Sequence, residues 1–166
     1  MVCEGEEAFQ SGDATRALSD YRSALVYAPN NPRFQFHLAR ALAATGRDDE
    51  ARSYLLNLLL ESPGSGEVNL ELARIAARKG AMSDAVENYH RAIYGVWEHN
   101  PILMRWNVRH ELCEFLLGRS AESEAEPEII ALAQDTPSAD KNRKKVGWRA
   151  ALARKAVAEN LSCWSI

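Results

Sequence analysis

The side chains best equipped for chemistry in this 166-residue chain are its histidines, cysteines and arginines, and their spacing decides which of them can act together. His37, His90, His99 and His110 are scattered, and none stands at metal-ligand spacing from a cysteine or carboxylate. Cys3, Cys113 and Cys163 are far apart and odd in number, with no C-x-x-C pair; a reducing compartment is the simplest reading. The glycines form no phosphate-binding loop, and no Ser/His/Asp set is present. Paired acids such as Glu6 with Glu7, or Asp48 with Asp49, read as helix-surface charge. The chemistry on offer is therefore recognition, and no catalytic residue, cofactor or metal is expected.

Its carriers are arginines at a regular interval. Arg40 and Arg74 stand 34 residues apart, and Arg78 follows one helical turn after Arg74. Guanidinium groups bind carboxylates through two parallel hydrogen bonds and stack on aromatic faces.

The same interval governs the elements that must position them. Gly12, Gly46 and Gly80 fall at a step of 34, as do Ala17, Ala51 and Ala85, then Tyr21, Leu55 and Tyr89, then Ala24, Leu58 and Ala92. Gly5, Ala39 and Ala73 align, as do Ala8, Leu42 and Ala76, and Leu38 with Leu72; Pro29 and Pro63 are followed by Trp97 in the third place. Self-similarity at a fixed period marks a stack of one supersecondary unit.

Each unit has two amphipathic stretches with apolar positions at helical spacing. In the middle one, Phe34, Leu38, Ala41 and Leu42 mark a first helix. Gly46 ends it, because glycine tolerates the left-handed conformation after a helix terminus. Asp48 and Asp49 suit the positive end of the next helix dipole. Ala51, Leu55, Leu58 and Leu59 mark the second helix, and Pro63 stops it. Small residues at Ala39 and Ala51 allow close approach. A fourth unit appears at a step of 40: Leu112, Cys113, Leu116, Ser120, Ala125, Ile129, Leu132 and Pro137 follow Leu72, Ala73, Ala76, Gly80, Ala85, Tyr89, Ala92 and Trp97. Cys113 thereby takes a small-residue packing slot. The six extra residues near Asn100 to Arg105 predict a longer first helix beginning near Pro101.

The Leu-small pair, the mid-unit alanine, the aromatic or leucine four residues later and the closing proline resemble the tetratricopeptide-repeat family. Two features depart from that pattern: Gln35 and Asn69 replace an early aromatic, and Ala8, Leu42 and Ala76 replace a later tyrosine. The resemblance implies an all-α, right-handed superhelical solenoid of about four antiparallel helix pairs with a C-terminal closing helix. The array is expected over 1–137, in units of about 1–31, 32–65, 66–105 and 106–137, with the closing helix and tail over 138–166. Turns are expected near Gly12, Pro29, Gly46, Pro63, Gly80, Gly118 and Pro137.

Composition is ordinary for a globular domain. The longest apolar run, Tyr54 to Leu60, is too short to span a bilayer, and Met1 to Phe9 is acidic, unlike a signal peptide. A cytoplasmic location is expected, and a membrane anchor outside this sequence is compatible with it. The basic run Lys141, Arg143, Lys144, Lys145, Arg149, Arg154 and Lys155 reads first as a neutraliser of Glu122, Glu124, Glu126 and Glu128, ahead of membrane or nucleic-acid contact. Trp97 and Trp106 are expected to pack at a thickened third-to-fourth junction, and Trp148 to cap the array.

In the family, the first helix of each unit lines a concave surface suited to an extended segment. Projection puts Arg33, Phe36, Arg40, Leu70, Arg74 and Arg78 there as a peptide-binding groove, with Glu6 and Phe9 beside them. The arginines should repel one another until an acidic or carboxylate-ended peptide arrives; the alternative is that they are solvated, or pair with Glu6, Glu67 and Glu71 between units. The resemblance implies a protein-interaction scaffold or adaptor, with no nucleic acid, and homo-oligomers through stacked ends compatible with it. The alternative is a regulatory or substrate-recruiting part of a larger enzyme or membrane-anchored assembly factor.

Overall fold

The computed structural model describes residues 2–135, with side chains from Glu4 onward. The expected closing helix, the basic run, Trp148, Cys163, the side chain of Cys3 and the turn at Pro137 lie outside the described residues. The chain divides into two compact units, Met1–Trp97 and Glu98–Ile166. The first holds α1 (Val2–Gln10), α2 (Ala14–Tyr27), α3 (Pro32–Ala44), α4 (Asp48–Glu61), α5 (Gly66–Arg78) and α6 (Met82–Ile93). The second holds α7 (Pro101–Leu117) and α8 (Glu122–Gln134). Helices pair in order: α1 with α2, α3 with α4, α5 with α6, and α7 with α8.

The turns inside the pairs are one device repeated. Gly12, Gly46 and Gly80 have φ of 87°, 79° and 72°. Behind them the amides of Asp13, Arg47 and Ala81 donate to the carbonyls of Ala8, Leu42 and Ala76 at 2.9, 2.9 and 3.0 Å. This six-to-one bond satisfies a carbonyl that the helix end leaves open. In the second unit Ser120 takes the left-handed place, with φ of 56°, and Ala121 donates to Leu116 at 3.0 Å. The turn falls near Gly118 as expected; Gly118 itself keeps an ordinary helical φ of −65°, and the left-handed residue is the one that the step of 40 aligns with Gly80.

The alanines at the step of 34, then 40, are the closest-packed points: Ala17, Ala51, Ala85 and Ala125 are all 0% exposed. Ala39, Ala73 and Cys113 face them from the first helices, equally buried. The first departure from the family pattern, Gln35 and Asn69 in place of an aromatic, also has a role. Gln35 Nε2 donates to the carbonyl of Pro29 at 2.9 Å, and Asn69 Nδ2 donates to Ser65 at 2.7 Å and reaches Pro63 at 3.5 Å. Both polar side chains tie down the turn that precedes their own helix.

The turn after α4 is locked further. Ser65 and Val96 form an isolated parallel bridge, with Gly66 donating to Val96 at 2.9 Å and Val96 to Gly64 at 2.7 Å. Trp97 lies against Gly66 and donates its indole N–H to Ala92 at 2.9 Å. A Cβ at Gly66 would come within 2.4 Å of the indole. Trp97 is thus buried inside the first unit. Trp106 is buried in the second, stacked on His110 and donating to Leu132 at 3.2 Å.

A charged network closes the pair α7–α8. Arg109 is buried, 3.3 Å from Glu128, and it also pairs with Asp135. Burial, with the Glu128 charge, pushes the Cys113 thiol up to about 12, so it acts as a packing group. No helix among the described residues is long and apolar enough to cross a membrane.

Candidate peptide-binding face

The first helices α1, α3 and α5 share one face of the first unit, joined by side chains that repeat with the period. Glu6, Arg40 and Arg74 occupy one equivalent position; His37 and Glu71 occupy another. Glu6 of α1 meets His37 Nδ1 of α3 at 3.3 Å. One unit on, Arg40 of α3 meets Glu71 of α5 at 3.6 Å. Arg74 closes on the same carboxylate at 3.0 Å, from three residues along its own helix.

Aromatic rings frame Arg40. Its guanidinium lies 4.5 Å from the centroid of Phe9 and 6.0 Å from that of Phe36. Behind them, His37 stacks on Tyr21 at 5.3 Å, and the Tyr21 hydroxyl donates to Glu6 at 3.0 Å. Burial and the bond to Glu6 push the Tyr21 phenol well above its usual range. Burial alone would raise the Glu6 carboxyl, but hydrogen bonds from Gln10 and Tyr21, with the charges of His37 and Arg40, hold it below the usual value. Burial depresses His37, and Arg40 and Arg33 add to this against the opposing pull of Glu6.

Of the six residues projected onto the groove, the structure brings three together: Phe36, Arg40 and Arg74. Arg33 is exposed at the start of α3 and close enough to His37 to act on its charge. Leu70 is buried. Arg78 turns toward α4, where its guanidinium binds Asp48 at 2.6 Å, beside a Lys79–Asp49 pair. The bare repulsion expected between the arginines is absent, because Glu71 sits between Arg40 and Arg74. Glu67 also stands where Arg33 stands one unit earlier, so the charge of Arg33 is not repeated in α5.

The Glu6–Tyr21–His37 cluster did not emerge from sequence reasoning, which treated His37 as isolated. A signal existed: Glu6 and His37 are 31 residues apart, as are Arg40 and Glu71, one period less one helical turn. Among the described residues no group of histidine, cysteine and acid side chains could hold a metal ion. What the face can do chemically is exchange one carboxylate for another between two guanidiniums, beside two aromatic rings.

Family profiles described as tetratricopeptide repeat match residues 8–61 and 49–98, which together span more than half of the chain. Among solved structures, MamA of AMB-1 is similar at 20% identity with a TM-score of 0.64, covering 98% of this chain and 84% of that one. BtubC from P. vanneervenii is similar at 18% identity with a TM-score of 0.70, covering 93% and 70%. Yeast Tom70 aligns at 16% identity with a TM-score of 0.50, covering 96% of this chain and 39% of its own. No curated protein matches.

Proposed function

We propose, from the premise that this chain belongs to the tetratricopeptide-repeat family and is a protein-interaction scaffold, that it binds an acidic or carboxylate-ended peptide segment on the face of α1, α3 and α5. We read its role as recognition and not catalysis. The observation that carries the reading is the convergence of two equivalent arginines, Arg40 and Arg74, on one carboxylate. A site that already holds Glu71 in this way is shaped for carboxylates. A ligand acid would take over, or share, the contacts of Glu71, while Phe9 and Phe36 cover the stems of the guanidiniums and the flanking backbone of the peptide. Phe36, Arg40 and Arg74 carry the contact; Arg33 offers a peripheral charge.

Charge-assisted hydrogen bonds are worth about 1.5–3 kcal/mol each before screening, and those of a partly exposed pair weaken with salt. The test is fluorescence anisotropy with a labelled peptide of alternating Glu and Ala, beside its Gln isostere. The acidic peptide should bind the full chain more tightly, and Arg40→Ala with Arg74→Ala should remove the difference without lowering Tm by more than a few degrees. Equal affinity for both peptides, or an unaffected double mutant, would place ligand binding elsewhere.

A further inference from the structure

The second helices carry a periodic feature of their own. Val26, Leu60 and Tyr94 stand at the step of 34, at the C-terminal ends of α2, α4 and α6. They are 78%, 82% and 74% exposed. Tyr27 and Val96, neighbours of the two ends of this row, are 78% and 72% exposed. Equivalent positions in three stacked helix pairs form a line, so these side chains make one apolar strip along an edge of the first unit. Single exposed apolar residues are commonplace, but a contiguous strip of several hundred Å2 marks an interface. At the step of 40 the equivalent position in the fourth unit is Gln134.

We propose that this strip is the interface of a two-fold symmetric dimer of the chain. The row is graded in size, with the small Val26 at one end, Leu60 in the middle and the large Tyr94 at the other. Laid antiparallel on a second copy, it sets Tyr94 of each copy over Val26 of the other and Leu60 against Leu60 on the axis. That pairs large with small side chains and fills space evenly, as an isologous interface requires. The area suits this occupant. Two tyrosines, one leucine and two valines expose on the order of 600 Å2 per copy. Two copies would bury about 1,200 Å2, the lower bound for a specific interface and the size of a reversible one. The proposal is independent of the peptide face, which belongs to the first helices.

The test uses the full chain in analytical ultracentrifugation and disulfide trapping. The unaltered protein should show a concentration-dependent monomer–dimer equilibrium, and Leu60→Asp should weaken it by about tenfold or more, with an unchanged melting curve at concentrations where both proteins are monomeric, because Leu60 is exposed. In a chain with Cys3→Ser and Cys163→Ser, Leu60→Cys alone should oxidise to a covalent dimer. Val26→Cys and Tyr94→Cys should cross-link only when mixed. Monomeric sedimentation up to about 1 mM, association indifferent to Leu60→Asp, or self-linking of Val26→Cys as efficient as that of Leu60→Cys would each overturn the proposal.

Discussion

Arg40 and Glu71 face each other between α3 and α5 at 3.6 Å, and Glu6 and His37 repeat that relationship one unit earlier at 3.3 Å. Both pairs span 31 residues, so the period builds the same inter-unit contact twice from different chemistry. At the first junction the carboxylate comes from the earlier helix and the cation-forming group from the later; at the second the order is reversed. The face therefore changes electrostatic character along its length, and the guanidiniums gather at the second junction.

Glu71 is then an internal competitor for any acidic ligand. Glu71→Gln should raise affinity for the acidic peptide by several-fold, while lowering stability by less than about 1 kcal/mol, because Arg40 and Arg74 are partly solvated. Titration calorimetry reads the first and chemical denaturation the second. Weaker peptide binding by Glu71→Gln would mean that the carboxylate organises the arginines and is not displaced.

Gly66 should tolerate no side chain. Alanine there would drive Cβ into the Trp97 indole, which is pinned by its bond to Ala92, and overpacking of this kind costs about 1–3 kcal/mol. Gly64→Ala is the matched control, because its Cβ would meet only Val96 at 3.7 Å. Urea midpoints and tryptophan emission should separate the two variants; equal midpoints would show that the indole can move aside.

Ser120 holds a left-handed backbone conformation that glycine adopts without strain. Ser120→Gly relieves about 1–2 kcal/mol of local strain and returns part of it as unfolded-state entropy, for a net gain of about 0.5–1 kcal/mol. The reverse substitution, Gly46→Ser, should be destabilising by a similar amount. Thermal melts of both variants check the sign.

His37 has its folded pKa below the ordinary 6.5, so the unfolded chain binds a proton that the folded chain resists. Its contribution to stability is present at neutral pH and is lost as pH falls below 6.5 toward the folded value. Glu6, also depressed, contributes a second loss only below its ordinary 4.5. Tm should therefore fall as pH drops from 7 to 5, and His37→Gln should flatten that part of the profile. An identical slope in both proteins would assign the effect to other groups.

The fold was legible because it is periodic. Alanines at a fixed step mark where helices touch, and glycines at the same step mark where the chain reverses. The fourth unit was readable once six residues were allowed for, and the step of 40 already set Ser120 in the place of Gly80, where a serine must hold the left-handed backbone at a cost in strain. The arginines of the candidate face were legible as a stripe. Their environment was legible only in part: pairing with Glu71 stood as one expected alternative, but a one-dimensional projection shows which residues share a face and not which way a long side chain leans. Arg78 leaves that face for Asp48 on α4, and Glu71 enters it to join Arg40. Leu70 carries an apolar signal equally suited to a groove or a core, and packing chose the core. His37 was set aside for want of a ligand partner nearby in sequence, although its partner lay one period away less a turn.

The bridge between Ser65 and Val96 makes the turns between helix pairs unequal as places to alter the chain. The turn around Pro29 is held by local contacts, the Gln35 side chain on Pro29 and the Asn31 side chain on the amides of Arg33 and Phe34, and should accept added residues or a grafted tag. The turn around Ser65 is stitched by two backbone bonds to a segment some thirty residues later, and an insertion on either side would shift both out of register. Splicing this array to another, or lengthening it, should succeed at the first turn and fail at the second.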